Sequence, residues 1–124
     1  IPIFAGYEEK TEQGRLFQFD ITGGRYEEKD FVSTGSGSLH ASTVVKLRHS
    51  SSVGLSGAID IALEALLEAS EEDSATGGPD LLRGIFPVVA KIDSNGFERI
   101  PDEELESRTE IMVQNISERG NSQT

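Results

Sequence analysis

The sequence has no cysteine, no tryptophan, a single methionine and two histidines, and its longest apolar stretches are no longer than IFPVVA at 85–90. Without cysteine there can be no disulfide, thiolate metal site or cysteine nucleophile, which fits a reducing cytosol and gives a cytoplasmic expectation. Without a run of roughly 18–20 apolar residues there is no candidate for a membrane-spanning helix. No basic segment followed by an apolar one opens the chain, so no signal peptide is read. Positive charge is also scarce: 11 basic residues face 22 acidic ones, for a net charge of −11. Such a surface repels phosphate backbones, and the small basic group Lys46, Arg48 and His49 is too short to reverse that. Neither nucleic acid nor membrane is an expected partner.

What is present is enough for one domain, or a piece of one, at 124 residues with 35% hydrophobic content. IPIFAGY (1–7) and RLFQFDI (15–21) read as strands, and the TGG at 22–24 as a hairpin turn into RYEE. A further short strand is expected over Phe31–Thr34. Leu39, Thr43, Val44 and Leu47 then recur at helical spacing, with Ser38 placed to cap that helix. Leu55, Ala58, Ile59, Ala62, Leu63, Leu66 and Ala69 make the clearest helical stripe in the chain. GIFPVVAKID (84–93) reads as a strand, SNG (94–96) as a tight turn and FERI (97–100) as its partner. Residues 101–120 read as a last helix with stripe Leu105, Thr109, Met112 and Ile116, acidic residues in its first turn and Gly120 after its last. Grouped strands and grouped helices indicate an antiparallel-rich α+β fold. The chain opens directly in an apolar strand without a methionine, and reads as cut.

Most catalytic signatures are missing. His40 and His49 are the only imidazoles, and no G-x-S-x-G elbow accompanies them, so a histidine-based triad is set aside for structural or surface roles. No phosphate-binding loop occurs. Glu71, Glu72 and Asp73 are consecutive, so their carboxylates diverge instead of converging on one ion, and no metal is expected. Asn115-Ile116-Ser117 matches a glycosylation acceptor but falls within a helical pattern. Two segments remain. Thr34-Gly35-Ser36-Gly37-Ser38 places hydroxyls and backbone N–H groups at a helix start, where an oxyanion, an amine or a water can be held. Asp73-Ser74-Ala75-Thr76-Gly77-Gly78 places a carboxylate and hydroxyls where a long helix ends. From spacing alone, ordinary helix ends are the plainer reading of both.

Taken together, FAGY (4–7), FDITGGRYEEKDF (19–31), GSGS (35–38), DSATGGPDLLRGIFPVV (73–89) and PDEEL (101–105) resemble the C-terminal half of an actinobacterial-type proteasome β subunit. The resemblance covers about residues 1–118 of a single domain, leaving 119–124 as a loose tail. It implies an N-terminal nucleophile hydrolase fold, a four-layer αββα sandwich of which this chain is about half. It further implies a threonine-type endopeptidase that degrades unfolded or tagged polypeptides inside a stack of rings. The partners would be neighbouring β subunits, the α-subunit ring and, through that ring, an ATPase activator; no cofactor is implied. Residue by residue, Ser36 matches the serine that helps hold the threonine amine and its water, and Asp73 the aspartate that orients this serine and the terminal amine. Thr76 stands where many relatives have serine. Gly35, Gly37, Gly77 and Gly78 would let the backbone pass close to the site. The nucleophile itself has no counterpart, because position 1 is Ile1 and the first threonine is Thr11. The chain alone is therefore expected to be inactive and to fold poorly by itself. The alternatives are a noncatalytic ring subunit with an assembly role, or an unrelated α+β binding module if the matches are chance.

Overall fold

A computed structural model describes residues 2–122. Three strands, β1 (Ile3–Glu8), β2 (Gln13–Phe19) and β3 (Arg25–Glu28), form an antiparallel sheet in that order. Phe4 pairs with Phe17 across β1 and β2, and Phe19 with Arg25 across β2 and β3. The guanidinium groups of Arg15 and Arg25 lie 5.1 and 5.4 Å from the centre of the Phe17 ring, so charge and aromatic surface cover one another on this sheet. A second antiparallel pair joins β4 (Ala90–Asp93) to β5 (Gly96–Arg99) through Ser94-Asn95. Asp93 accepts the Asn95 N–H at 2.8 Å, and Gly96 takes a φ of 93° that favours glycine, which is why this turn is legible as SNG.

The helices are α1 (Ser38–Arg48), α2 (Gly54–Glu72) and α3 (Asp102–Ser122). The α2 stripe is buried over its later part, at Ile59, Leu63 and Ala69, while Leu55 and Ala58 at its start are exposed. With Ile100 and Leu105, Ile59 and Leu63 form the core, and Phe86, Val89 and Met112 pack against it. Fully buried Leu63 and Leu105 each contribute about 2 kcal/mol by leaving water. Thr109 is buried as well, and its hydroxyl is satisfied by the Leu105 carbonyl at 2.7 Å. Ion pairs tie the helices together at their surface: Arg108 of α3 donates to Asp60 and to the Ser56 carbonyl, and Glu64 of α2 pairs with Arg48 and Arg119.

Several expectations are corrected. Phe31–Thr34 is irregular, because no strand beyond β3 offers it a ladder. In the 84–93 stretch only Ala90–Asp93 is a strand; Pro87 lacks an N–H to give to a ladder, and Asp80 and Ile85 form an isolated bridge before it. Ser38 is the first residue of α1, and the cap is Gly37, with no side-chain cap bond. The helix expected from Leu39, Thr43, Val44 and Leu47 is present as α1, with Leu39 and Leu47 74% and 78% exposed and contact with α2 made through half-buried residues. Gly120 lies inside α3, so residues 119–122 of the expected tail are helical, while Gln123 and Thr124 lie outside the described residues.

The described residues form a mixed α+β arrangement of two antiparallel sheets and three helices. Among them no helix is long and apolar enough to cross a membrane. Large apolar side chains nevertheless stand exposed on α1, at Leu82 and Val88, and at Phe97 of β5.

Candidate functional site

The two segments singled out by sequence meet where α1 begins and α2 ends. Gly35 takes a φ of 98°, reserved in practice for glycine, and the Ser38 N–H closes a turn onto the Gly35 carbonyl at 3.1 Å. That turn lifts Ser36 into the open and drops Gly37 into the interior. At the other end Asp73 leaves α2 in an extended conformation, φ −134° and ψ 111°, while its N–H still bonds to Ala69 at 2.9 Å. The change of backbone direction swings the carboxylate off the helix axis and toward Ser36.

Three donors converge on Asp73. The Ser36 hydroxyl donates to Oδ2 in a short hydrogen bond, and Thr76 Oγ1 donates to the same oxygen at 2.7 Å. The Ala75 N–H reaches Oδ1 at 3.2 Å, and the Thr76 N–H bonds to the Asp73 carbonyl at 3.0 Å, so the chain folds back around the carboxylate. These donors, Ser36 first and Thr76 second, hold the Asp73 carboxyl below the usual aspartate range, with a smaller favourable contribution from the charge of His40. A carboxylate stabilised in this way is a weak general base near neutral pH, so it does not activate Ser36 as a nucleophile. Its effect is orientation. Each hydroxyl has one proton, and both are directed at Asp73, which leaves the Ser36 and Thr76 lone pairs to accept from an outside N–H or water.

Of the four glycines expected near the site, Gly37 makes the close approach: a Cβ there would stand 2.5 Å from Thr76 Oγ1 and 3.2 Å from Ala69 Cβ. Gly78 is close instead to the last turn of α2, with its hypothetical Cβ 2.5 Å from Ser70 Oγ and 2.8 Å from the Leu66 carbonyl. Gly35 is required by its φ and has open space around it. Gly77 meets nothing within 4 Å among the described residues and has no such φ. Sequence reading missed two contributors. The Ala75 N–H was hidden because any residue but proline supplies one; the turn-forming Asp73-Ser74-Ala75 was the available signal. His40, given a structural or surface role from the sequence, adds the last of the contributions that favour the Asp73 carboxylate. Among the described residues no group of three or more histidine, aspartate or glutamate side chains could hold a metal ion.

Residues 1–80 match the family model described as proteasome subunit. The proteasome subunit beta of Acidimicrobium ferrooxidans is 48% identical over 120 residues, covering 97% of this chain and 44% of that protein. That of Jonesia denitrificans is 47% identical over 105 residues, covering 85% of this chain and 35% of that protein. That of Streptomyces griseus is 44% identical over 104 residues, covering 84% and 37% respectively. The chain thus spans less than half the length of these relatives. The family match takes in the Ser36 turn, α1, α2 and the Asp73–Thr76 loop without interruption, and the chain belongs to the proteasome subunit family.

Proposed function

We propose that these 124 residues form the hydrogen-bonding wall of a threonine-type peptidase site in a proteasome β subunit. The nucleophile comes from sequence outside them, and the two halves together build a four-layer αββα sandwich. The observation that carries this reading is the Asp73 carboxylate, which gathers a hydroxyl from 37 residues away and another three residues on, and leaves both oxygens free to accept. An ammonium or amine with its water is the complementary guest. A chain-terminal threonine offers such an amine beside its own hydroxyl, and holding the amine is what lets it act as base toward that hydroxyl. Ser36 and Thr76 would accept from the amine or its water, and Asp73 would keep their lone pairs turned toward it. Exposed Leu39, Leu47 and Phe97 support the companion reading that the remaining half and neighbouring subunits, of the same ring and of the α ring, cover these faces. The substrate class is unfolded polypeptide, with an ATPase acting through the α ring.

The test is hydrolysis of a fluorogenic peptide by the full-length subunit assembled with its ring partners. Asp73→Asn is expected to lower turnover by about 100-fold with little change in KM, the scale of losing a group that sets up proton transfer. The 124-residue chain alone should show none. Wild-type turnover in the Asp73→Asn particle, or turnover by the 124-residue chain, overturns the reading. An assembled particle without turnover supports the noncatalytic ring subunit instead.

A further inference from the structure

The Ser36 turn has a second anchor that neither motif contains. We infer that Ser33 and Ser42 form a clamp that positions Ser36 by holding the chain before the turn; the inference rests on the role proposed for Ser36.

Ser36 stands between two glycines, the residues with the greatest backbone freedom, so its place depends on what holds the chain before and after them. After the turn, the hold is strong: Gly37 is buried against Thr76 and Ala69, and its carbonyl accepts the Ala41 N–H at 3.1 Å. Before it, Phe31–Thr34 belongs to no strand. The start of α1 carries no side-chain cap either. What ties this side down is Ser33. Its Oγ donates to the Ser38 carbonyl at 3.1 Å and also meets Ser42 Oγ in a short hydrogen bond. A hydroxyl has one proton, so with Ser33 donating to Ser38, Ser42 must donate to Ser33. The result closes the base of the 34–37 loop, joining the residue before it to the first turn of α1. Both serine hydroxyls are partly buried, where water competes less for them.

Removing the Ser33 hydroxyl leaves α1 able to form, because Ser42 can turn back to bond a carbonyl of its own helix. What is lost is the fixed separation between Ser33 and Ser38, and with it the height of Ser36 above Asp73. Displacements on the order of 1 Å in a positioned group lower rates by up to about 100-fold, and a partial displacement is expected here. Ser33→Ala in the assembled full-length subunit should lower kcat about tenfold and leave KM nearly unchanged. Ser33→Thr, which keeps a hydroxyl, should recover most of that loss. In a Ser36→Ala background Ser33→Ala should change turnover by no more than about twofold, the non-additivity of residues that act as one unit. A crystal structure of the Ser33→Ala particle should show Ser36 Oγ withdrawn from Asp73.

Ser36 unmoved from Asp73 in that structure overturns the clamp whatever the activities are. So does wild-type kcat in Ser33→Ala while Ser36→Ala is impaired, or an equal cost of Ser33→Ala with and without the Ser36 hydroxyl. Wild-type turnover in Ser36→Ala overturns the proposed role of Ser36 itself, and the clamp's relevance to turnover falls with it.

Discussion

Asp20 and Asp73 are two carboxylates with nearly the same chemistry and different reach. Asp20 accepts the Thr22 hydroxyl at 2.8 Å, the Gly24 N–H at 2.7 Å and the Tyr26 hydroxyl at 2.9 Å, all within six residues. Asp73 accepts two hydroxyls and an N–H as well, but its leading partner, Ser36, is 37 residues distant. Both carboxyls are held below the ordinary aspartate range by these donors, led by Thr22 for Asp20 and by Ser36 for Asp73. The difference is in what must be in place first. The Asp20 cluster closes on itself as β2 turns into β3 and needs only its own segment. Bringing Ser36 to Asp73 closes a long loop, and one net hydrogen bond of about 1 kcal/mol does not offset that loss of chain entropy. The packing of α1 on α2 must do it. A carboxylate at the end of such a chain of dependencies reports on the fold around it, and that suits a site better than a turn.

The largest expected contrast is in activity. In the assembled full-length subunit, Asp20→Asn should change peptide turnover by less than about twofold, against the roughly 100-fold loss expected for Asp73→Asn. Equal losses would remove the distinction, placing both residues in general structural roles.

Glycines sharpen the same contrast in stability. A Cβ on Gly24 would meet Asp20 Oδ2 at 2.6 Å and the Tyr26 hydroxyl at 2.8 Å, the far ends of side chains that can swing aside. A Cβ on Gly37 would meet the short Thr76 side chain and Ala69 of α2, neither of which yields without backbone movement. Gly37→Ala should therefore destabilise the subunit by about 1–3 kcal/mol, the range for overpacking, and depress turnover as Thr76 is pushed from Asp73. Gly24→Ala should fall below that range. Thermal unfolding of the two variants, with peptide hydrolysis alongside, checks both halves.

The same contrast governs what sequence could disclose. The Asp20 turn was legible as TGG, and the β4–β5 turn as SNG, because turn chemistry is local. The α2 helix was legible because apolar residues repeat along one side of it, and from Ile59 to Ala69 that side is buried or half-buried. Phe31–Thr34 looked like a strand because Phe, Val and Thr favour extended backbone, a preference that says nothing of a missing neighbour. Leu39 and Leu47 show a related limit: apolar residues at helical spacing indicate the helix without saying whether that side is buried. Ser36, Asp73 and Thr76 were picked out as candidates through a resemblance of motifs, and the structure brings all three together. Ser33 and Ser42 left no trace, since two serines nine residues apart follow no period and gain meaning only when the start of α1 is built.

The smallest effect is in acid, where the two carboxylates can be separated by direction. A carboxyl whose folded pKa is depressed adds stability that is fully present above its unfolded value, about 3.9 for aspartate, and lost as pH falls through the lower folded value. Near neutrality neither residue gives a pH dependence, since each is ionised whether folded or unfolded. Below pH of about 4 both should contribute a loss, and solvent screening keeps each contribution modest. Ser36→Ala removes the leading cause of the Asp73 shift and leaves Thr22, Gly24 and Tyr26 on Asp20 untouched. The Asp73 carboxyl should then move up toward the ordinary range, so the variant's acid-unfolding curve is shallower below pH of about 4 while keeping the part due to Asp20. Tyr26→Phe should flatten the curve through Asp20 instead, and the double variant should show the sum, because the two clusters share no partner. A coupling between them in the acid-unfolding curves would mean that the turn after β2 also supports the start of α1, and the division between a self-contained carboxylate and a dependent one would fail.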